Sequence, residues 1–90
     1  MNIQAEVSLY PLGNPEIGKT IDAFIDGLSH PGVTMQKGNM STNLNGELPD
    51  VFAALRAAFE EIINDNAAVL VVKMSNACPP HAPLSQGQSQ

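Results

Sequence analysis

Residues Asn2 to Leu12 read NIQAEVSLYPL, and the alternation sets Ile3, Ala5, Val7 and Leu9 on one face against Gln4, Glu6, Ser8 and Tyr10 on the other. A period of two is that of a β-strand buried on one side. The first set reads as core. The second, with a carboxylate, a hydroxyl and a phenol in line, must face water, a ligand or another subunit.

Working outward from this strand, Pro11, Gly13, Asn14 and Pro15 break the alternation. Asn14 followed by Pro15 predicts an N-cap and a proline in the first helical turn. Ile17, Ile21, Phe24, Ile25 and Leu28 then recur at helical spacing, with Lys19, Asp22 and Asp26 turned away,. Gly27 and the run Ser29-His30-Pro31-Gly32 end that helix. The period returns to two at Val33 and Met35 against Thr34 and Gln36, and again at Thr42, Leu44 and Gly46 against Ser41, Asn43 and Asn45. Lys37 to Met40, containing Gly38-Asn39, predicts the turn of a hairpin.

Pro49 and Asp50 open a second helix whose stripe is Val51, Leu55, Ala58, Phe59 and Ile62, ending near Asn64 to Asn66,. Phe24, Phe52 and Phe59 are expected in the core. A last strand, Ala68 to Asn76, is almost wholly apolar until Lys73, as expected of a strand covered on both sides. Residues 1–78 form one expected domain, and 79–90 (PPHAPLSQGQSQ), which lack periodicity, a tail.

Strand, helix, strand, strand, helix, strand is the split βαβ order of an α+β, ferredoxin-like sandwich, βαββαβ, with two helices on one face of a four-stranded antiparallel sheet. Right-handed crossovers place the first strand between the third and fourth. The uncovered face then carries Glu6, Ser8, Tyr10, Thr34, Gln36, Asn43, Asn45, Val69, Val71, Lys73 and Ser75. That set is too mixed for a plain solvent face and too polar for a plain core. It predicts an oligomer interface enclosing a polar pocket.

A chain of 90 residues is small for a self-sufficient core, so a homodimer or homotetramer is expected,. With 4 Lys plus Arg against 9 Asp plus Glu, it has no electrostatic footprint for nucleic acid or anionic membrane,. No segment approaches the roughly 20 apolar residues of a membrane span. The single cysteine, Cys78, excludes an internal disulfide and a CxxC motif, which suits the cytoplasm,. Cys78 lies between Ala77 and two prolines, which reads as a fixed turn rather than the setting of an activated thiol, so it is not assigned as a nucleophile,. His30 and His81 are expected to be loop residues rather than metal ligands. No catalytic group, metal or cofactor is expected.

Three segments carry a resemblance: Glu6 to Gly13 (EVSLYPLG), Met40 to Gly46 (MSTNLNG) ahead of a helix opening Leu48-Pro49-Asp50-Val51-Phe52, and Met74 to Pro79 (MSNACP). In order and spacing they resemble the YkoF-type thiamine and hydroxymethylpyrimidine-binding family and related short thiamine-binding proteins, from about Ile3 to Pro80. The resemblance implies a ferredoxin-like fold and binding of thiamine or its pyrimidine moiety without catalysis. One repeat is present where YkoF carries two, so two copies are expected to associate. By motif it points to Ser8 and Tyr10, to Ser41, Thr42 and Asn43, and to Ser75, Asn76 and Cys78.

An aminopyrimidine offers an amino donor and ring-nitrogen acceptors, which short hydroxyls and amides held on strands can meet. Ser41-Thr42-Asn43 and Ser75-Asn76 supply them, although such residues also make ordinary turn hydrogen bonds. Glu6, central on a sheet face, needs a partner: the thiazolium cation of thiamine, or Lys73 across the sheet. Tyr10 either stacks on a ring or covers an interface. Lacking a glycine-rich nest or a cationic cluster, the chain is expected to prefer the unphosphorylated vitamin to its diphosphate.

Two enzymatic or nucleic-acid alternatives of the same topology fit poorly. An acylphosphatase-like site needs an arginine in a loop, whereas Arg56 lies in a helix, and an RNA-binding sheet needs basic and aromatic residues,. The stronger alternative is an assembly or regulatory module whose sheet face only meets protein. It predicts Glu6 paired with Lys73 and no cavity.

Overall fold

The computed structural model describes residues 1–77. The expectations for Cys78, His81 and a tail over 79–90 concern positions outside that range. The elements are β1 (Asn2–Leu12), α1 (Ile17–Gly27), β2 (Val33–Lys37), β3 (Thr42–Glu47), α2 (Leu48–Ile63) and β4 (Ala67–Ser75). They form an antiparallel sheet of order β2-β3-β1-β4, with β1 central as expected. This is the ferredoxin-like sandwich.

The alternation of β1 is realised residue by residue. Ile3, Ala5, Val7 and Leu9 are buried with Leu44 of β3 beneath Phe24 and Leu28 and the α2 stripe of Val51, Leu55, Ala58 and Ile62. Burial of that apolar area is the main stabilising term of so small a domain. The helices approach closely at Gly27, where an added Cβ would lie 3.1 Å from Ala58 Cα. Gly46 is tighter still: a Cβ there would meet the Gly32 carbonyl oxygen at 2.6 Å.

Four expectations are corrected. First, α1 begins at Ile17 rather than at Pro15. Asn14 does not cap the helix; its Oδ1 accepts the Glu16 N–H at 2.7 Å, an Asx turn,. Its Nδ2 donates to Thr20 Oγ1 at 2.8 Å and to Asn66 Oδ1 at 2.7 Å, tying the β1–α1 connection to the start of β4. Two obligations beyond the helix end hold these residues in a turn.

Second, Phe52 is not core but 54% exposed. It follows Val51, and one residue is about 100° around a helix, so it points past the sheet towards its β4 edge. There, with Phe59, Leu70, Val72 and Met74, it lines an apolar groove of about 450 Å³. Third, β4 is not covered on both sides within one subunit: Leu70 and Val72 pack against the core, but Val69 and Val71 are 47% and 42% exposed on the open face. Fourth, β4 runs from Ala67 to Ser75, one residue earlier than expected at each end.

Candidate functional site

The open face is organised around Glu6. Sheet register places it between Asn43 on β3 and Lys73 on β4. Glu6 Oε2 accepts a hydrogen bond from the Ser41 hydroxyl at 3.0 Å, and Oε1 lies 3.9 Å from Lys73 Nζ. The ion pair is long and solvent-facing, a geometry that contributes little. The carboxylate therefore keeps capacity to accept further hydrogen bonds or a cation.

Two shallow hollows adjoin it. One, of about 210 Å³, is lined by Glu6, Ser8, Tyr10, Met40, Ser41, Val71 and Lys73. The other, of about 180 Å³, is lined by Gln4, Glu6, Asn43, Lys73 and Ser75. Glu6 and Lys73 form the ridge between them. Ser8 also donates to the Met40 carbonyl oxygen at 3.4 Å, which lashes the β2–β3 loop to β1. Asn45 Oδ1, on the same face, is closed off from solvent and accepts no hydrogen bond among the described residues, an acceptor that a donor from outside can satisfy,.

Six of the residues anticipated from the sequence thus share the open face: Glu6, Ser8, Tyr10, Ser41, Asn43 and Ser75. Two do not. Thr42 pairs with Val7 and is buried on the helix face, at 4% exposure. Asn76 lies beyond the end of β4, where its Nδ2 meets Met1 Sδ at 3.3 Å. Ser75 is also used locally, its Oγ accepting the Ala77 N–H at 2.9 Å.

A third hollow escaped sequence reasoning. It lies on the helix side at the end of the β2–β3 hairpin, measures about 330 Å³, and is lined by Leu9, Asp22, Phe24, Ile25, the Lys37 to Ser41 loop and Thr42 among others. Its walls come from segments far apart in sequence. The one signal was Thr42 itself, a polar residue at a core-facing position of β3.

Among the described residues no three His, Cys, Asp or Glu side chains gather as a metal site would require,. No helix of the described residues is long and apolar enough to cross a membrane.

Fold and site define a small α+β domain: a ferredoxin-like sheet with polar hollows on its uncovered face. The chain belongs to the YKOF-related family, whose model matches residues 2–81. No curated protein sequence matches it. Among solved structures, it is similar to a hypothetical protein from Methanocaldococcus jannascii, with 23% identity, a TM-score of 0.77, and 94% of this chain and 90% of that one covered. A Thermotoga maritima protein provisionally described as a thiamine biosynthesis/salvage protein has 16% identity and a TM-score of 0.73, over 82% of both chains. A domain of unknown function from Bacillus cereus has 18% identity and a TM-score of 0.73, covering 96% of this chain and 86% of that one. At these identities the likeness carries the fold.

Proposed function

We propose that the protein binds thiamine or its hydroxymethylpyrimidine moiety, without catalysis, in the hollow beside Glu6 on the open sheet face, and that a second copy completes the enclosure. The observation that carries this reading is Glu6 itself. It is a carboxylate central in a sheet, oriented by the Ser41 hydroxyl, beside Tyr10 and an apolar Val71 wall, with only a distant lysine partner. That is a fitting seat for a flat heterocyclic cation.

Family membership and the thiamine-related description of the Thermotoga protein support the same ligand class. Val69, Val71 and Tyr10 stand exposed on that face, where association would bury them,. The hollow holds one cationic side chain, Lys73, which favours the unphosphorylated vitamin over the diphosphate,.

The assembly-module reading draws support from the Glu6–Lys73 pair it predicted, but a closed, dry face is at odds with the hollows on either side of that pair. Thermal shift and isothermal titration with thiamine, hydroxymethylpyrimidine and thiamine diphosphate, run on the wild type and on Glu6→Ala, separate the two. Stabilisation by the first two ligands, weakened for thiamine in the variant, supports binding. No response to any of them refutes it, and a tighter diphosphate refutes the stated preference.

A further inference from the structure

The apolar groove between α2 and the outer strand, lined by Phe52, Phe59, Leu70, Val72 and Met74, takes no part in the site proposed above. β3 and β4 both pair antiparallel to β1 and so run parallel to each other, and α2, which carries the chain from one to the other, runs back against them. Phe52, at the start of α2, therefore sits at the Met74 end of β4, and Phe59 at the Leu70 end. Phe52 and Met74 are 54% and 38% exposed, so the groove is open where β4 stops. At its rim Arg56 Nε donates to Glu60 Oε2 at 3.1 Å, and the two charges satisfy each other.

The chain leaves β4 at that open end. Ala77 N–H donates to Ser75 Oγ at 2.9 Å, a turn that takes the backbone out of the strand direction,. Asn76 Nδ2 meets Met1 Sδ at 3.3 Å, and the Met1 carbonyl oxygen accepts the Leu48 N–H at 3.3 Å, so the exit lies beside the first turn of α2. The sequence continues as Cys78 and then Pro79-Pro80-His81-Ala82-Pro83-Leu84, with no Asp, Glu, Lys or Arg from there to Gln90. Prolines lack the N–H that would extend the β4 ladder, and they favour the polyproline II helix, whose usual seats are grooves lined by aromatic rings.

We infer that this groove is the seat of the chain's own segment 79–84, laid along it as a polyproline II helix from Phe52 towards Phe59. The dimensions agree. With three residues per turn and about 3.1 Å per residue, Pro80 and Pro83 share one face at a spacing of about 9 Å. Phe52 and Phe59, about two turns apart on one face of α2, are separated by about 10 Å along the helix. Each proline meets one ring, and Leu84 reaches the Leu70 end. An uncharged segment suits a groove whose Arg56 and Glu60 are already paired. So short a tether holds the segment at an effective concentration on the order of millimolar, so that even a weak contact is filled before a free partner competes. Pro83 and Leu84 lie past residue 81, where the family match ends, which makes this strap a property of the chain rather than of the family. It is independent of the vitamin-binding reading. It covers the apolar flank beside β4 and leaves the backbone edge of that strand open.

The test places a nitroxide on the full chain at Ser85→Cys, with Cys78→Ser so that no other thiol reacts, and reads the amide signals. Loss should be strongest at Phe59 and Leu70 and absent at Gln36 and Asn43 on the open face. Spin-labelled chain mixed with isotope-labelled wild type should give no loss, because the contact is within one chain. Phe52→Ala, at a position exposed enough to leave the core intact, should abolish the loss at Phe59 and Leu70. Substituting Pro80→Asp and Pro83→Asp together should raise ANS fluorescence, since the uncovered groove is apolar. No signal loss at the groove, or loss that persists in Phe52→Ala, overturns the inference. Loss of equal size in the mixed sample overturns it in favour of a second copy's segment as the occupant.

Discussion

Glu6 and Lys73 face each other across the β1–β4 ladder at 3.9 Å, yet the shorter contact of Glu6 is with the Ser41 hydroxyl, at 3.0 Å. The carboxylate is aimed more by the hairpin loop than by its charge partner.

Removing that charge should consequently separate stability from affinity. Glu6→Ala should shift unfolding free energy by no more than about 1 kcal/mol, because the pair is solvent-facing. Thiamine affinity should fall by roughly tenfold or more, the equivalent of one charge-assisted contact. Urea unfolding beside titration calorimetry checks both, and equal losses for thiamine and neutral hydroxymethylpyrimidine would contradict an electrostatic role.

Salt offers an independent handle on the same contact. Raising ionic strength shortens the screening length to a few ångströms near 1 M, so thiamine binding should weaken while hydroxymethylpyrimidine binding holds nearly constant. Calorimetric titrations at low and high sodium chloride read this directly.

Val69 and Val71 stand exposed on the face where a second copy is expected. Val69→Glu places a charge in that contact and should shift sedimentation from oligomer to single chain without loss of helical circular dichroism. A wild-type protein that sediments as a single chain at high concentration would remove the basis for this.

Asn14 joins three parts of the fold through its bonds to Glu16, Thr20 and Asn66. Asn14→Ala should cost about 1–3 kcal/mol, since partners in the half-buried connection lose their bonds together. The urea midpoint should fall with little change in slope.

Gly46→Ala presses a methyl group against the Gly32 carbonyl oxygen, where the gap is 2.6 Å. Either β2 must move off β3 or the loop before it must shift, a cost of about 1–3 kcal/mol. Thermal unfolding measures it, and a neutral result would mean that the Gly32 loop gives way freely.

The strands and their order were legible because a period of two in β1 and β3 and a period near four in the helices leave only one pairing of apolar faces. Local competition was harder to see. Asn14 has the residue type of a cap and the neighbours of one, but its bonds to Thr20 and Asn66 come from the fold. Phe52 is apolar and helical, yet lies off the stripe by a single position. At the site, open-face membership of Glu6, Ser8 and Tyr10 followed from alternation alone. The motif around Thr42 mixed two faces: Ser41 and Asn43 look outward, Thr42 inward. The cavity behind it needed knowledge of where the β1–β3 ladder stops, which no single segment encodes.

In the four-stranded order, β4 stands at one end, beside β1 only. Two copies meeting through their uncovered faces would leave this outer margin vacant on each, with backbone groups available to any extended neighbour. Growth at both vacant margins has two outcomes, an endless ribbon or a closed set of four in which margins meet about a second two-fold axis. Closure would make four, not two, the natural stopping point of assembly.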